Sequence, residues 1–238
     1  MNITDKTVLI TGANRGIGRA LVDEALERGA SRVYAGTRSG LQHADKRVVP
    51  LTLELTSAPQ IERAVRAVET LDLLINNAGV ASYDALDDVA ATEKTLAVNL
   101  YGTLNVTRGF LPLLTRSKGT IVNVMSVAAF AALPIIPAYS ISKAALFSLT
   151  QSLRAQLAGK GVTVHGVFPG PVDTEMSRGF EAPKASPQSV AQAIFNGLQA
   201  GEEDIFPDPA SQAIAESWRT GAVKALEHQF AALVKAAA

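Results

Sequence analysis

Short runs rich in Val, Ile and Leu alternate with longer amphipathic stretches from the start of the chain to about residue 206. The runs predict seven strands: Thr7 to Thr11, Arg32 to Gly36, Val48 to Leu53, Leu71 to Asn76, Gly119 to Met125, Thr163 to Phe168 and Asp204 to Phe206. Most are continuously apolar, the pattern of strands covered on both faces. The stretches between them predict helices over Ile17 to Arg28, Ala58 to Val68, Ala90 to Thr115, Tyr139 to Ala158 and Pro187 to Gln199. In the first, Ile17, Leu21, Ala25 and Gly29 form an i, i+4 stripe, while Arg19, Asp23, Glu24 and Glu27 lie off it. Eleven residues, 37 to 47, separate the second and third strands, which leaves room for a helical turn at most. Pro207-Asp208-Pro209 then punctuates the chain, and residues 210 to 238 read as an Ala-rich helical tail carrying Trp218, Leu226, Phe230 and Leu233. Those apolar residues suit packing against their own subunit or against a twin. The alternation predicts an α/β, doubly wound parallel sheet with helices on both faces.

Length and composition narrow the picture. A chain of 238 residues with 47% hydrophobic and 18% charged content is ordinary globular protein. Either one large domain or two small ones fits that length. Lys and Arg balance Asp and Glu at 22 each, so no net field favours nucleic acid. The absence of cysteine excludes a disulfide scaffold, a thiolate metal site and a cysteine nucleophile. The purest apolar stretch, Val127 to Pro137, holds two prolines and falls short of the roughly 18 residues a membrane span needs. A soluble, cytoplasmic protein is the expectation.

The first strand runs directly into Thr11-Gly12-Ala13-Asn14-Arg15-Gly16-Ile17-Gly18 and then into a helix. Such a turn offers backbone N–H groups and the positive end of a helix dipole to a pyrophosphate. Gly12 permits the turn, Gly16 the close approach of a ligand, and Gly18 the close packing of helix on sheet. A dinucleotide fold ordinarily places Asp or Glu about 20 residues further on, at the end of the second strand, to hold the adenosine ribose. Here that position reads Gly36-Thr37-Arg38-Ser39, and residues 32 to 44 hold no acid. Either arginine alone would pass for a surface charge; Arg15 and Arg38 together suit a 2′-phosphate, favouring NADP(H) over NAD(H).

A second cluster combines Ser126, at the end of the fifth strand, with Tyr139 and Lys143, one helical turn apart on one face. A tyrosine of pKa about 10 is a poor proton shuttle at neutral pH, and a cation one turn away would favour its phenolate. The pair therefore suits general acid–base chemistry, with the Ser126 hydroxyl placed to hold a carbonyl oxygen beside the phenol.

These motifs, in this order, resemble the short-chain dehydrogenase/reductase family over nearly the whole chain. The matching landmarks are Thr11-Gly12-x-x-x-Gly16-Ile17-Gly18, Asn76-Asn77-Ala78-Gly79, Asn99 in Val98-Asn99-Leu100-Tyr101-Gly102, Ser126, Tyr139 with Lys143, and Pro169-Gly170-Pro171-Val172-Asp173-Thr174. The resemblance implies one Rossmann-type domain over residues 1–238, with strand order 3-2-1-4-5-6-7. It also implies a tetrad of Asn99, Ser126, Tyr139 and Lys143. In that tetrad Tyr139 protonates the carbonyl oxygen as hydride arrives, and Ser126 orients that oxygen. Lys143 holds the nicotinamide ribose and lowers the Tyr139 pKa, and Asn99 supports a water that relays protons to Lys143. The implied cofactor contacts are Gly12, Asn14, Arg15, Gly16, Ile17, Gly18, Thr37 and Arg38, then Asn77, Ala78 and Gly79 on the floor, Tyr139 and Lys143. Pro169, Gly170, Val172 and Thr174 complete them near the carboxamide. Glu54, where the family more often has Asp, is the implied partner of the adenine amino group, with Leu55 beside the ring.

Ser140-x-x-Lys143 also matches one element of penicillin-recognising enzymes, but Ser-Asp-Asn and Lys-Thr-Gly are absent. His43, His165 and His228 have no metal-ligand spacing, and no metal is expected. The segment Val127 to Ile136 is uncharged, and Met176 and Phe180 lie in a short lid, Glu175 to Ser186. With Ser126, Ala128 and Ile135, they outline a pocket for an uncharged ketone, aldehyde or secondary alcohol. The expected protein is an NADPH-dependent carbonyl reductase, a homodimer or homotetramer with no nucleic-acid or membrane partner. Two alternatives are an NADP(H)-binding regulatory or scaffold protein without turnover and an NAD(H)-dependent hydroxysteroid or acyl-thioester dehydrogenase. The intact tetrad argues against the first.

Overall fold

A computed structural model describes residues 1–236 of the protein. The seven predicted strands form one parallel sheet: β1 Thr7–Thr11, β2 Arg32–Thr37, β3 Val48–Thr52, β4 Leu73–Asn76, β5 Thr120–Val124, β6 Thr163–Val167 and β7 Asp204–Ile205. Their order is β3-β2-β1-β4-β5-β6-β7, as expected. Strand ends differ from the predicted ones by one or two residues, where fraying and hydrogen-bond geometry decide the boundary.

The helices are α1 Gly16–Glu27, α2 Ala58–Ala67, α3 Val89–Leu96, α4 Thr103–Ser117, α5 Pro137–Leu157, α6 Pro187–Ala200, α7 Pro209–Arg219 and α8 Ala222–Ala236. Strand alternation splits the core into two layers. Val8 and Ile10 of β1 face one side with Leu21, Phe195 and Leu198 of α1 and α6. Leu9 faces the other with Phe110, Leu114 and Leu153 of α4 and α5. A third cluster at the β7 side joins Met125, Phe168 and Phe206 to Phe130, Phe147 and Trp218.

Two expectations need correction, the unbroken helix after β4 and the single terminal helix. The predicted helix Ala90 to Thr115 is broken by a π turn, Ala97–Gly102, between α3 and α4. The crossover from β2 to β3 contains no helix, within the expected limit of one helical turn. The tail is two helices rather than one: Asp208 caps α7, accepting from Ser211 N at 3.0 Å, and α7 ends at Arg219 ahead of Gly221; residues 237 and 238 lie outside the described residues. In the tail Trp218, Ile214 and Ala215 pack inward, whereas Leu226, Phe230 and Leu233 are exposed on this subunit. Among the described residues no helix is long and apolar enough to cross a membrane.

Candidate active site

The glycine-rich turn is built from the neighbouring strand as well as from its own glycines. Gly12 has φ +67° and Gly16 φ +53°, the left-handed region that a side chain disfavours. Thr11 Oγ1 accepts from the backbone N–H of both Asn77 and Ala78 at 3.0 Å, and Asn77 Nδ2 donates to Thr11 O at 3.0 Å. Asn77 and Ala78 therefore fix the turn. A Cβ on Gly18 would lie 2.0 Å from the Gly12 carbonyl oxygen, and one on Gly16 would lie 3.0 Å from Thr174 Cγ2. The gap between turn and Thr174 stays open only because residue 16 is glycine, and it opens at the N-terminus of α1, where a pyrophosphate fits. Asn14 is exposed in the turn, and Ile17 packs against the first core layer.

A cavity of about 520 Å³ adjoins this turn, lined by Arg15, Gly16, Arg19, Thr174, Arg178 and Lys184 among others. None of the residues predicted to line the substrate pocket belongs to it. Ile135 and Met176 are exposed, Ser126 and Phe180 half-buried, and Ala128 buried.

The two predicted phosphate-binding arginines already have carboxylate neighbours. Arg15 is paired with Glu175 of the lid, and Arg38 Nε lies 4.0 Å from Glu54 Oε2. Both guanidinium side chains remain largely exposed. Thr37, at the end of β2, is buried with its hydroxyl unpartnered. Leu55 is a core residue rather than an open surface: a Cβ on Gly102 would meet its Cβ at 2.7 Å.

Asn76 serves the sheet. Its Nδ2 donates to Thr107 Oγ1 at 3.0 Å and to Asn123 Oδ1 at 2.9 Å, and Asn123 Nδ2 donates to Thr150 Oγ1 at 2.9 Å. This buried polar chain ties β4 and β5 to α4 and α5. Pro169 and Gly170 are likewise engaged within the protein. Pro169 O accepts from Val127 N at 3.1 Å, and Gly170 N donates to Asp208 Oδ2 at 2.7 Å. Val172 is buried and forms a bridge to Ala185.

The predicted tetrad gathers at the carboxyl ends of β4 and β5. Ser126 begins a 3-10 turn, Val127–Ala129, and its Oγ accepts from Ala128 N at 3.1 Å. Asn99 sits in the π turn, whose wide spacing brings its side chain to the strand-end backbone. Its Oδ1 accepts from Val80 N at 2.8 Å, and its Nδ2 donates to Val80 O and to Ser142 Oγ, both at 2.9 Å. Ser142, not anticipated from the sequence, thus ties α5 to the π turn. Lys143 is 4% exposed, and its Nζ donates to Val124 O at 2.8 Å. A Cβ on Gly79 would lie 3.3 Å from Asn99 Oδ1 and 3.7 Å from Lys143 Nζ, so Gly79 lies against both groups.

The electrostatics correct one expectation. Burial pushes the Tyr139 phenol up to about 12, with its hydrogen bond to Ser126 pulling the other way. Burial pulls Lys143 down to about 8. Lys143, whose ammonium lies 5.4 Å from the ring centroid and donates a hydrogen bond to Val124 O, does not offset that burial. Desolvation, which penalises any charge in a dry site, outweighs the neighbouring cation.

Comparison with known proteins agrees with this architecture. Residues 6–185 match the family model described as short chain dehydrogenase. An uncharacterized oxidoreductase of Staphylococcus aureus is 31% identical over 214 residues, covering 82% of this chain and 92% of that one. One from Staphylococcus saprophyticus is 32% identical over 218 residues, covering 84% and 93%. The crystal structure of a short chain dehydrogenase from Burkholderia cenocepacia in complex with NADP superposes with a TM-score of 0.86 at 38% identity, covering 96% of this chain and 99% of that one. From its glycine-rich turn to the lid, the chain belongs to the short-chain dehydrogenase/reductase family.

Proposed function

We propose that the protein is an NADP(H)-dependent oxidoreductase that interconverts an uncharged ketone or aldehyde and the corresponding secondary or primary alcohol. The observation that carries this reading is Lys143, a buried ammonium with no carboxylate partner among the described residues, set beside a half-buried phenol. An unpaired buried cation is costly to keep, and such groups cluster where chemistry uses them. When bound, a nicotinamide cofactor supplies or accepts the hydride. Tyr139 holds its proton at neutral pH and gives it to the carbonyl oxygen during reduction. Ser126 orients that oxygen through its hydroxyl, and Lys143, held beside Asn99 and Gly79, would meet the ribose. Arg15 and Arg38 favour the 2′-phosphate, consistent with the NADP held by the Burkholderia cenocepacia relative.

The test is a ketone and alcohol panel followed at the nicotinamide absorbance with both cofactors. Turnover is expected with NADPH, and Tyr139→Phe is expected to lower kcat by about 10²–10⁴-fold, the usual worth of a general acid. A wild-type protein that binds NADPH tightly and turns over no member of the panel would leave a binding protein without chemistry.

A further inference from the structure

We propose that Trp218, in α7, the first helix of the C-terminal tail, is a positioning residue for the carbonyl site, acting through Phe130 on the segment that carries Ser126. The proposal rests on the reductase reading above for its catalytic consequence, and on packing alone for its structural part.

Phe130 closes the 3-10 turn that Ser126 begins. Ala129 N donates to Ser126 O at 3.0 Å, and Phe130 N donates to Val127 O at 3.0 Å. A shift of the Phe130 ring is therefore passed to Ser126 within one turn of backbone. That ring lies between two others: Phe168 is stacked at 4.4 Å between centroids, and Trp218 is tilted at 4.6 Å. Phe168, at the end of β6, is fully buried and fixed by the sheet. The other jaw comes from the tail. Trp218 also meets Phe147 of α5 edge-on at 5.3 Å, four residues beyond Lys143 on the same helix.

Trp218 is not free to slide. Its Nε1 donates to Asp204 Oδ2 at 2.8 Å, and Asp204 stands in β7, paired with Gly166 of β6. Lys224 of α8 donates to the same carboxylate oxygen at 2.7 Å, and Arg154 of α5 to the other at 2.8 Å. The indole is thus pinned at its nitrogen by the sheet edge and presses its face on the segment between Ser126 and Tyr139. Catalytic groups need placement to within a fraction of an ångström, and a misplacement of about 1 Å costs about 10²-fold in rate.

The experiment compares wild type, Trp218→Ala and Trp218→Phe by amide hydrogen exchange, by calorimetric titration with NADPH and by steady-state ketone reduction. In Trp218→Ala the amides of Ala128, Ala129 and Phe130 are expected to exchange at least about tenfold faster. In the same variant kcat should fall about tenfold or more, with the NADPH Kd held within about twofold. Trp218→Phe keeps a ring against Phe130 and loses the N–H bond, and it should recover most of kcat. Unchanged exchange at those amides overturns the proposal, as does faster exchange with unchanged kcat. A Kd that weakens in step with exchange throughout the sheet also overturns it, because Trp218 would then be a general stability residue. If Trp218→Ala does not fold, Phe130→Leu removes the same contact from the other side and is read by the same three measurements. Absence of turnover in the wild type overturns the reductase reading separately, and the exchange pattern then decides whether Trp218 holds the segment.

Discussion

At Lys143 and Tyr139 the physics runs opposite to the simple picture of a cation activating a phenol. Both groups are driven toward their neutral forms, Lys143 to about 8 and Tyr139 to about 12, because each is desolvated before it is paired. This suits reduction, which needs a protonated tyrosine. It also places the lysine's loss of charge within reach of ordinary buffers. A base with a depressed pKa is cationic below that value and neutral above it, so the polar face beside Gly79 loses its charge as pH rises through about 8. The kcat/KM for NADPH, which reports the free enzyme, should be level below that pH and fall above it; Lys143→Arg, which cannot titrate, should lack that descending limb. A wild-type profile flat from pH 7 to 10 would remove Lys143 as the titrating group. The arginines make a second residue-scale prediction. Arg15→Ala and Arg38→Ala should each raise the KM for NADPH about tenfold, the worth of a charge-assisted bond, and leave that for NADH within about twofold. Equal losses with both cofactors would take the 2′-phosphate out of the account. Because Glu175 and Glu54 compete for these guanidinium groups, Glu175→Gln is expected to tighten NADPH binding, as read by titration.

Among the elements, the glycine-rich turn shows how sequence and packing divide the information. At an ordinary helical position Gly→Ala stabilises by about 1 kcal/mol, yet at Gly18 the new Cβ would stand 2.0 Å from the Gly12 carbonyl oxygen. Backbone must move, so Gly18→Ala should lower the melting temperature and weaken NADPH binding by more than about tenfold, an outcome opposite in sign to the propensity effect. Melting and titration check both halves. The strand order and the tetrad as a set followed only from the family resemblance, whereas the parallel sheet and the Tyr139–Lys143 pair were legible in local signals: continuous apolar runs, glycine at strand ends, and one-turn spacing. The π turn at Asn99 was not, since Ala90 to Thr115 reads as an unbroken helix and the widening answers long-range contacts, Asn99 to Val80 and Gly102 to Leu55. Pro207-Asp208-Pro209 signals punctuation and nothing more; the bond from Gly170 N to Asp208, which joins the tail to the loop after β6, has no sequence signature. The same holds for Glu175, whose pairing with Arg15 spans 160 residues.

Across the whole molecule one buried carboxylate is the hub that ties both C-terminal helices to the sheet. Asp204 is buried, with a side chain 2% exposed, and receives Arg154 from α5, Lys224 from α8 and the Trp218 indole from α7. Glu227 joins Arg154 and Lys224, so two cations and two acids balance inside the cluster, with Glu203 at its rim. A balanced buried cluster adds little net stability over apolar packing, but removing one partner strands the others, at a cost of about 3–5 kcal/mol. Asp204→Asn keeps the shape and removes the charge. At about 2–4 °C per kcal/mol for a chain of this size, its melting temperature should fall by roughly 10 °C. The pH dependence carries the sign. Burial raises the Asp204 pKa, but Arg154 and Lys224 overcome it and hold the carboxyl below its ordinary value. A group depressed in the folded state contributes fully above its unfolded value and loses that contribution as pH falls through the folded one. The gap between wild type and Asp204→Asn should therefore be constant at neutral pH and begin to close only below about pH 3.9, the ordinary aspartate value. A gap that closes between pH 5 and 7 would mean that a group other than Asp204 holds the tail in place.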